Sequence, residues 1–447
     1  MTNFKFPHDF TWGSATSSYQ IEGAYNEGGR GMSIWDTFAR TPGKVYEGHT
    51  GDTACDSYHR YAEDVQLLKN MGATSYRFSV AWPRIIPNGD GVINQEGLDY
   101  YHRLVDELLA NGIEPMCTLY HWDLPQSLED KGGWNSRETI AAFVRYAETM
   151  FKSFEGKIKN WITFNEPWCI AFLSNEIGAH APGNQDFQIA LNVAHHMLVA
   201  HGETVRRFRE IGSTGNIGIA PNTEWVEPFT NSPEDIEACK RRNAYFNEWF
   251  FEPVFKGKYP ELAIEWYKNK GYEVPILPGD METIAQPMDF LGINYYTGAV
   301  GRNNPEEGIL EFEVVDTAMD KTDFEWNVYP QGFLSVLRWV KDNYGDIPIY
   351  ITENGAYYDH EEENGKYHDP KRILYLQKHL IQLNRAIESG VNVKGYFLWS
   401  LMDNFEWALG YTKPFGLVHV DFTTYKRTPK DSYHWYSQVI ANNGLES

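Results

Sequence analysis

The stretch Ile347-Pro348-Ile349-Tyr350-Ile351-Thr352-Glu353-Asn354-Gly355 decides how the rest of the chain is read. Its apolar, β-branched run predicts a buried strand. The run stops on a carboxylate, Glu353, followed by the turn pair Asn354-Gly355. A carboxylate where a buried strand opens into a loop is costly unless charge is wanted there. Asn160–Pro167 repeats the shape: an apolar strand, Asn160–Asn165, then Glu166 and a proline.

Working outward, the pattern is strand then helix. Strands are predicted over Phe10–Ile21, Ser75–Trp82, Glu114–Tyr120, Asn160–Asn165, Gly215–Pro221, Asp289–Tyr296, Ile347–Thr352 and Val393–Leu401. Helices are predicted over Tyr58–Met71, Leu98–Leu109, Arg137–Phe154, Phe187–Ile211, Gly332–Asn343, Arg372–Ser389 and Asp431–Ala441, with a helical, aromatic-rich region at Ser232–Lys270. Glycines such as Gly72, Gly212 and Gly390 stand where helices should stop. Eight strands alternating with helices imply a parallel sheet, and eight such units point to a closed (β/α)₈ TIM barrel. No linker or composition shift splits the chain, so 1–447 reads as one α/β domain with enlarged loops at the C-terminal face. Gly301–Val328 reads as a loop insertion over one end of the barrel.

The formal net charge of −22 and the absence of a basic patch argue against nucleic acid and against an anionic membrane surface as partners. No run of 18 apolar residues is present, and the N-terminal stretch lacks the apolar core of a signal peptide. Cys55, Cys117, Cys169 and Cys239 form no CxxC or His-flanked cluster, so neither a zinc site nor a disulfide framework is expected. Cys117 and Cys169 fall in strand-like runs and read as buried thiols. These features point to a reducing cytoplasm. Glu27-Gly28-Gly29-Arg30-Gly31 lacks the context of a phosphate loop. His195, His196 and His201 lack an HExxH pattern and read as helix-face residues, and Glu361-Glu362-Glu363 as a solvated loop. No metal and no organic cofactor is implied.

In a barrel of this kind the active site lies at the carboxyl ends of the strands. Gln20, His121, Asn165, Glu166, Asn294, Tyr296 and Glu353 all fall there, and Trp399, Asn404, Glu406 and Trp407 follow the eighth strand. Singly, each has a duller reading: a surface glutamate, a bonded histidine, a core tryptophan. Together they place two carboxyl groups on one mouth, which is what hydrolysis of a glycosidic bond uses. The 15 tryptophans and 28 tyrosines add flat surfaces on which sugar rings pack, although aromatics also fill cores.

From Phe6-Pro7-His8-Asp9-Phe10-Thr11-Trp12-Gly13 to about Tyr436, the chain resembles a bacterial β-glucosidase of glycoside hydrolase family 1. Thr163-Phe164-Asn165-Glu166-Pro167 resembles the family's acid/base segment, Ile351-Thr352-Glu353-Asn354-Gly355 its nucleophile segment, and Asn404-Phe405-Glu406-Trp407 its sugar-binding segment. The resemblance implies a retaining double displacement, with Glu353 as the ionised nucleophile and Glu166 as acid and then base. Arg77, Asn294 and Tyr296 are the expected supports of the nucleophile. Gln20, His121, Asn165, Tyr296 and Glu406 are the expected partners of the sugar hydroxyls, with Trp399 as a platform and Trp407 as a wall. Glu406 is expected to act as a charged acceptor. Trp326 resembles an aglycone-facing residue, and Asn222 and Trp168 are further candidates there.

The implied ligands are small β-glucosides or cello-oligosaccharides. Preference among glucosides, galactosides and fucosides is left open, and a homo-oligomer is compatible with such a barrel. Three rivals are weighed. A phospho-β-glycosidase resembles Ser-x₅-Lys-x-Tyr after the eighth strand, where this chain has Trp407, Lys413 and Phe415. A thioglucosidase carries Gln at the position of Glu166. A non-catalytic sugar-binding relative lacks one of the two carboxylates. All three are disfavoured by the residues present.

Overall fold

The eight alternating apolar runs close into a ring. The computed structural model describes residues 4–445, so the first three residues of the stretch read for a leader lie outside the described residues. The barrel strands are β1 (Thr11–Ala15), β2 (Ser75–Ser79), β3 (Glu114–Tyr120), β4 (Asn160–Asn165), β5 (Asn216–Ala220), β6 (Phe290–Asn303), β7 (Ile349–Asn354) and β8 (Val393–Trp399). Each pairs in parallel with its neighbour in chain order, and β8 pairs with β1, so the ring has no free edge. Helices between the strands wrap the outside. The predicted α/β TIM barrel is therefore the fold. Its interior is packed by Ala15, Met116, Ile162, Ala220, Phe290 and Phe397, with Trp399 at the upper end of this layer.

Helix bounds follow the apolar periodicity to within a few residues. Ser57–Met71 ends at Gly72, whose φ of +84° is the left-handed stop a glycine supplies without steric penalty. Phe187–Glu210 starts where the Asp186 side chain accepts from the Ile189 amide at 3.0 Å.

Three predictions of local structure are corrected. The first strand ends at Ala15, and Ser18–Ile21 is a helical turn, so Gln20 is not at a strand end. The second strand ends at Ser79. Pro83 opens the short helix Trp82–Ile85, in whose first turn a missing N–H costs nothing. Gly301–Val328 is not all loop: β6 runs on to Asn303, flanked in parallel by Asn222–Pro228 and antiparallel by Phe312–Val314. The helical region Ser232–Lys270 is present as expected; it divides at Gly257, with φ of +63°, and contains a wider π turn at Ala244–Glu248.

The loops over the mouth are tied from behind by one buried cation. Arg372, on helix Pro370–Glu388, bonds Asp369 at 2.8 Å and donates to the carbonyls of Ala356, Phe415 (2.8 Å) and Pro414 (2.7 Å). Asp369 in turn accepts from Ser432 at the start of the last helix. Arg372→Met leaves Asp369 buried without its cation and takes a donor from three carbonyls. It should lower stability by about 3–5 kcal/mol, read as a fall in the urea midpoint. The exposed neighbour Lys371→Met should change it by about 0.5 kcal/mol or less. Equal effects of the two would show that Arg372 does not tie these loops.

Candidate active site

Glu353 and Glu166 both open onto one cavity of about 480 Å³ at the carboxyl ends of the strands. They reach it from different directions. Glu353 lies on β7 itself, opposite Asn294 of β6 in register. Glu166 lies one residue beyond β4, at a φ of +49° that costs a non-glycine residue about 1–3 kcal/mol. That backbone is held by its own neighbours: the Glu166 amide donates to Ala220 at 2.8 Å, and its carbonyl accepts from Cys169 at 2.9 Å. Trp122 and Trp407, also on the cavity wall, share the positive-φ conformation.

The two residues after Glu353 do not form the turn expected of Asn-Gly. Asn354 bridges strands, donating to the Tyr295 carbonyl at 2.7 Å and accepting from the Tyr396 hydroxyl at 2.8 Å. Gly355 is required by close approach, since a Cβ there would lie 1.9 Å from the Trp399 carbonyl oxygen. The chain thereby packs β7 against the end of β8, where a cis peptide joins Trp399 to Ser400.

The two carboxyls have opposite settings. One Glu353 oxygen is ion-paired to Arg77 Nη1 at 2.7 Å, and the other accepts from the Tyr296 hydroxyl at 2.6 Å. Arg77 also donates to the Thr352 carbonyl (3.0 Å), Asn165 Oδ1 (2.7 Å) and Thr118 Oγ1 (3.2 Å). Glu166 has no cation in contact. It accepts from Asn294 Nδ2 at 2.9 Å and from the Cys169 thiol at 3.1 Å. Burial first, and the charge of Glu353 second, push its pKa up to about 8. Burial and then Glu353 push Tyr296 well above the phenol range, so it stays a donor. Burial and then Arg77 hold His121 well below the usual imidazole range, so its ring is neutral.

Glu406 stands on the same cavity. Burial, then Glu353, then Glu166 push it up to about 8, so a third full negative charge is disfavoured there at neutral pH. In its protonated form it offers a hydroxyl donor as well as an acceptor.

The remaining predicted residues divide into wall and support. Trp399, Trp407, Tyr296, Trp326, Asn222 and Trp168 line the cavity. Trp407 stands 4.6 Å from both Trp35 and Trp122, centroid to centroid. Trp326 packs on Phe324 at 4.4 Å and Trp168 on Phe246 at 4.6 Å, making the outer part of the cavity aromatic. Asn165, Asn294 and Arg77 lie beneath as one bonded group. His121 bonds Asn165 at 3.0 Å and stacks beside Trp399 and Trp407. Gln20 is fully buried, accepts from Ser17 and donates to Asn404 and to the Phe405 carbonyl, and so braces the segment carrying Glu406 from behind.

Sequence reasoning missed many of the wall residues, Cys169, His180 and Phe246 among them. Cys169 is not in a strand; it begins the π turn Cys169–Leu173, three residues after Glu166. That spacing after a proline was the available signal. His180 and Phe246 reach the cavity from distant segments with no local signature.

Four wall residues, Trp168, His180, Asn222 and Glu406, each carry a buried polar atom without a hydrogen-bond partner among the described residues. Such atoms cost about 1–3 kcal/mol each when unmet, so the cavity suits a ligand rich in hydroxyls. No lysine or arginine lines it among the described residues. Lys413 instead lies over the Tyr357 ring at 4.5 Å.

The histidines of helix Phe187–Glu210 are engaged elsewhere: His195 with Tyr259 and Asp280, and His201 with Thr163. No described helix is long and apolar enough to cross a membrane.

Comparison with known proteins agrees with this geometry. The sequence profile described as glycosyl hydrolase family 1 matches residues 2–445. The chain is 49% identical to beta-glucosidase A of Acetivibrio thermocellus, over 100% of both chains. It is 47% identical to the 1,4-beta-D-glucan glucohydrolase of Thermotoga neapolitana, over 99% of both. Among solved structures, the beta-glucosidase of Thermotoga maritima in complex with glucoimidazole superposes with a TM-score of 0.96 at 46% identity, over 99% of this chain and 100% of that one. With two carboxyls facing one hydroxyl-seeking cavity at the mouth of a (β/α)₈ barrel, the chain belongs to glycosyl hydrolase family 1 and is a retaining glycoside hydrolase.

Proposed function

We propose that this hydrolase is a β-glucosidase that removes the terminal, non-reducing β-D-glucosyl residue of cellobiose, short cello-oligosaccharides and aryl β-glucosides. The observation that carries the reading is the contrast between two carboxyls on one cavity. Glu353 is ion-paired and bonded as an anion, while Glu166 is buried without a cation and pushed up to about 8. The names of the relatives support glucose as the sugar.

An oxygen of Glu353 attacks the anomeric carbon as the glycosidic bond breaks, and the Glu166 proton passes to the departing oxygen. Arg77 and Tyr296 keep the attacking oxygens oriented. The glycosyl ester formed at Glu353 carries no charge, so the second largest cause of the raised Glu166 pKa disappears. Glu166 then becomes a better-ionised base and takes a proton from the water that releases glucose. Glu406 and His121 have unpartnered polar atoms for sugar hydroxyls, and Asn165 is oriented by Arg77 toward the same end. Trp399 and Trp407 face the ring. The outer rings of Trp168, Phe246, Phe324 and Trp326 suit a second sugar or an aryl aglycone.

Glu353→Gly should abolish hydrolysis, and added azide should restore turnover with a product of inverted configuration, followed by NMR. Ordinary hydrolysis with retention in that variant would remove Glu353 from the nucleophile's role. For the acid, kcat/KM on cellobiose should fall as pH rises through about 8, because the group works only when protonated. Glu166→Ala should remove that limb and slow cellobiose by about 10²–10⁴-fold, far more than a dinitrophenyl glucoside whose leaving group needs no proton. Equal slowing of both substrates would contradict the assignment.

A further inference from the structure

The two oxygens of the Glu166 carboxyl meet partners of different kinds. Oε1 faces Asn294 Nδ2 at 2.9 Å. That amide cannot turn over, because Asn294 Oδ1 accepts from Thr352 Oγ1 at 2.6 Å and Nδ2 also serves Asn165 Oδ1 at 3.0 Å. An amide N–H only donates. Oε1 is therefore fixed as a bare acceptor, and the acidic proton belongs on Oε2. Oε2 faces Cys169 Sγ at 3.1 Å. A thiol is a weak donor and a weak acceptor, and it changes role by rotating about one bond.

We propose that Cys169 is a positioning residue for the acid/base carboxyl, its thiol donating to Glu166 Oε2 when the carboxyl is ionised and accepting from it when it carries the proton. This rests on the assignment of Glu166 above. An N–H in that place would oppose the protonated acid needed first. A carbonyl would oppose the ionised base needed second. The thiol serves both; on transfer the Oε2 proton turns from the sulfur to the departing oxygen, and no proton passes through the thiol. The Oε2 proton goes to the departing glycosidic oxygen, and Oε2 later recovers a proton from water, while the sulfur keeps its own. Burial, then the charge of Glu166, hold the thiol well above its usual range.

Local structure fixes the sulfur. The Cys169 amide donates to the Glu166 carbonyl at 2.9 Å, so the two residues are joined by one turn through Pro167 and Trp168. Asn222 Nδ2 lies 3.8 Å from Sγ on the far side. The ionisable groups around the pair are Glu353 on β7, Arg77 on β2, Tyr296 on β6 and Glu406 after β8.

The test compares Cys169→Ala and Cys169→Ser with the wild type. Active sites are counted by trapping with a 2-deoxy-2-fluoro glucoside, so misfolded protein does not enter the rates. In Cys169→Ala, kcat/KM on cellobiose should fall at least about fivefold more than on a dinitrophenyl glucoside, as a fraction of the acid's contribution. Its basic limb should move to higher pH, because the ionised carboxyl has lost a donor. Cys169→Ser, which keeps a reversible donor, should recover most of both effects. Equal loss on the two substrates, an unmoved basic limb, or no recovery with serine would reduce Cys169 to packing. Glu166→Ala measured alongside separates the two assignments. If it discriminates between the substrates and Cys169→Ala does not, the acid stands and the thiol's role falls.

Discussion

The guanidinium of Arg77 is the constraint from which the site is built. Arg77 is buried in the middle of β2 and bonds residues of β3, β4 and β7: Thr118, Asn165 and the Thr352–Glu353 pair. A buried cation is tolerated only when its charge and its donors are all met. Barrel closure supplies those partners from strands far apart in sequence. Arg77 fixes Asn165, Asn165 and Thr352 fix Asn294, and Asn294 fixes one oxygen of Glu166. The two carboxyls are thus located relative to each other by side chains on the strands, not by the loops above them.

The same arrangement divides the charge. Three of the carboxyls on the cavity, Glu166, Glu353 and Glu406, act on one another. Arg77 touches only Glu353. Burial first, and like charge at close range second, push upward the carboxyls that no cation touches. In the proposed mechanism this is how one residue type supplies both a nucleophile and an acid. It also changes the sense of Glu406, whose protonated carboxyl can donate to a sugar hydroxyl as well as accept from one.

Much of this was legible in the sequence because it depends on period and position. The eight apolar runs specify strands, and the polar residues at their carboxyl ends mark the mouth. Glu166, Glu353, Trp399 and Glu406 were all found that way. What was not legible depends on approach between distant segments. Asn354-Gly355 has the composition of a turn, yet the glycine is there because the Trp399 carbonyl passes too close for a Cβ. Cys169 reads as a buried apolar thiol until the π turn after Glu166 aims it at a carboxylate oxygen. Gln20, in a run that alternates like a strand, falls on a helical turn and braces the Glu406 segment from behind. The strand Asn222–Pro228 exists because β6 outgrows the barrel, and no local pattern announces its partner.

The central claim is that burial, and then the charge on Glu353, hold the proton on Glu166. The most direct measurement is a ¹³C NMR titration of the Glu166 carboxyl, in the free enzyme and in the trapped 2-fluoroglucosyl adduct at Glu353. The account predicts a midpoint near pH 8 in the free enzyme, and a lower one once the neighbouring charge is esterified. The same midpoint in both states would contradict it.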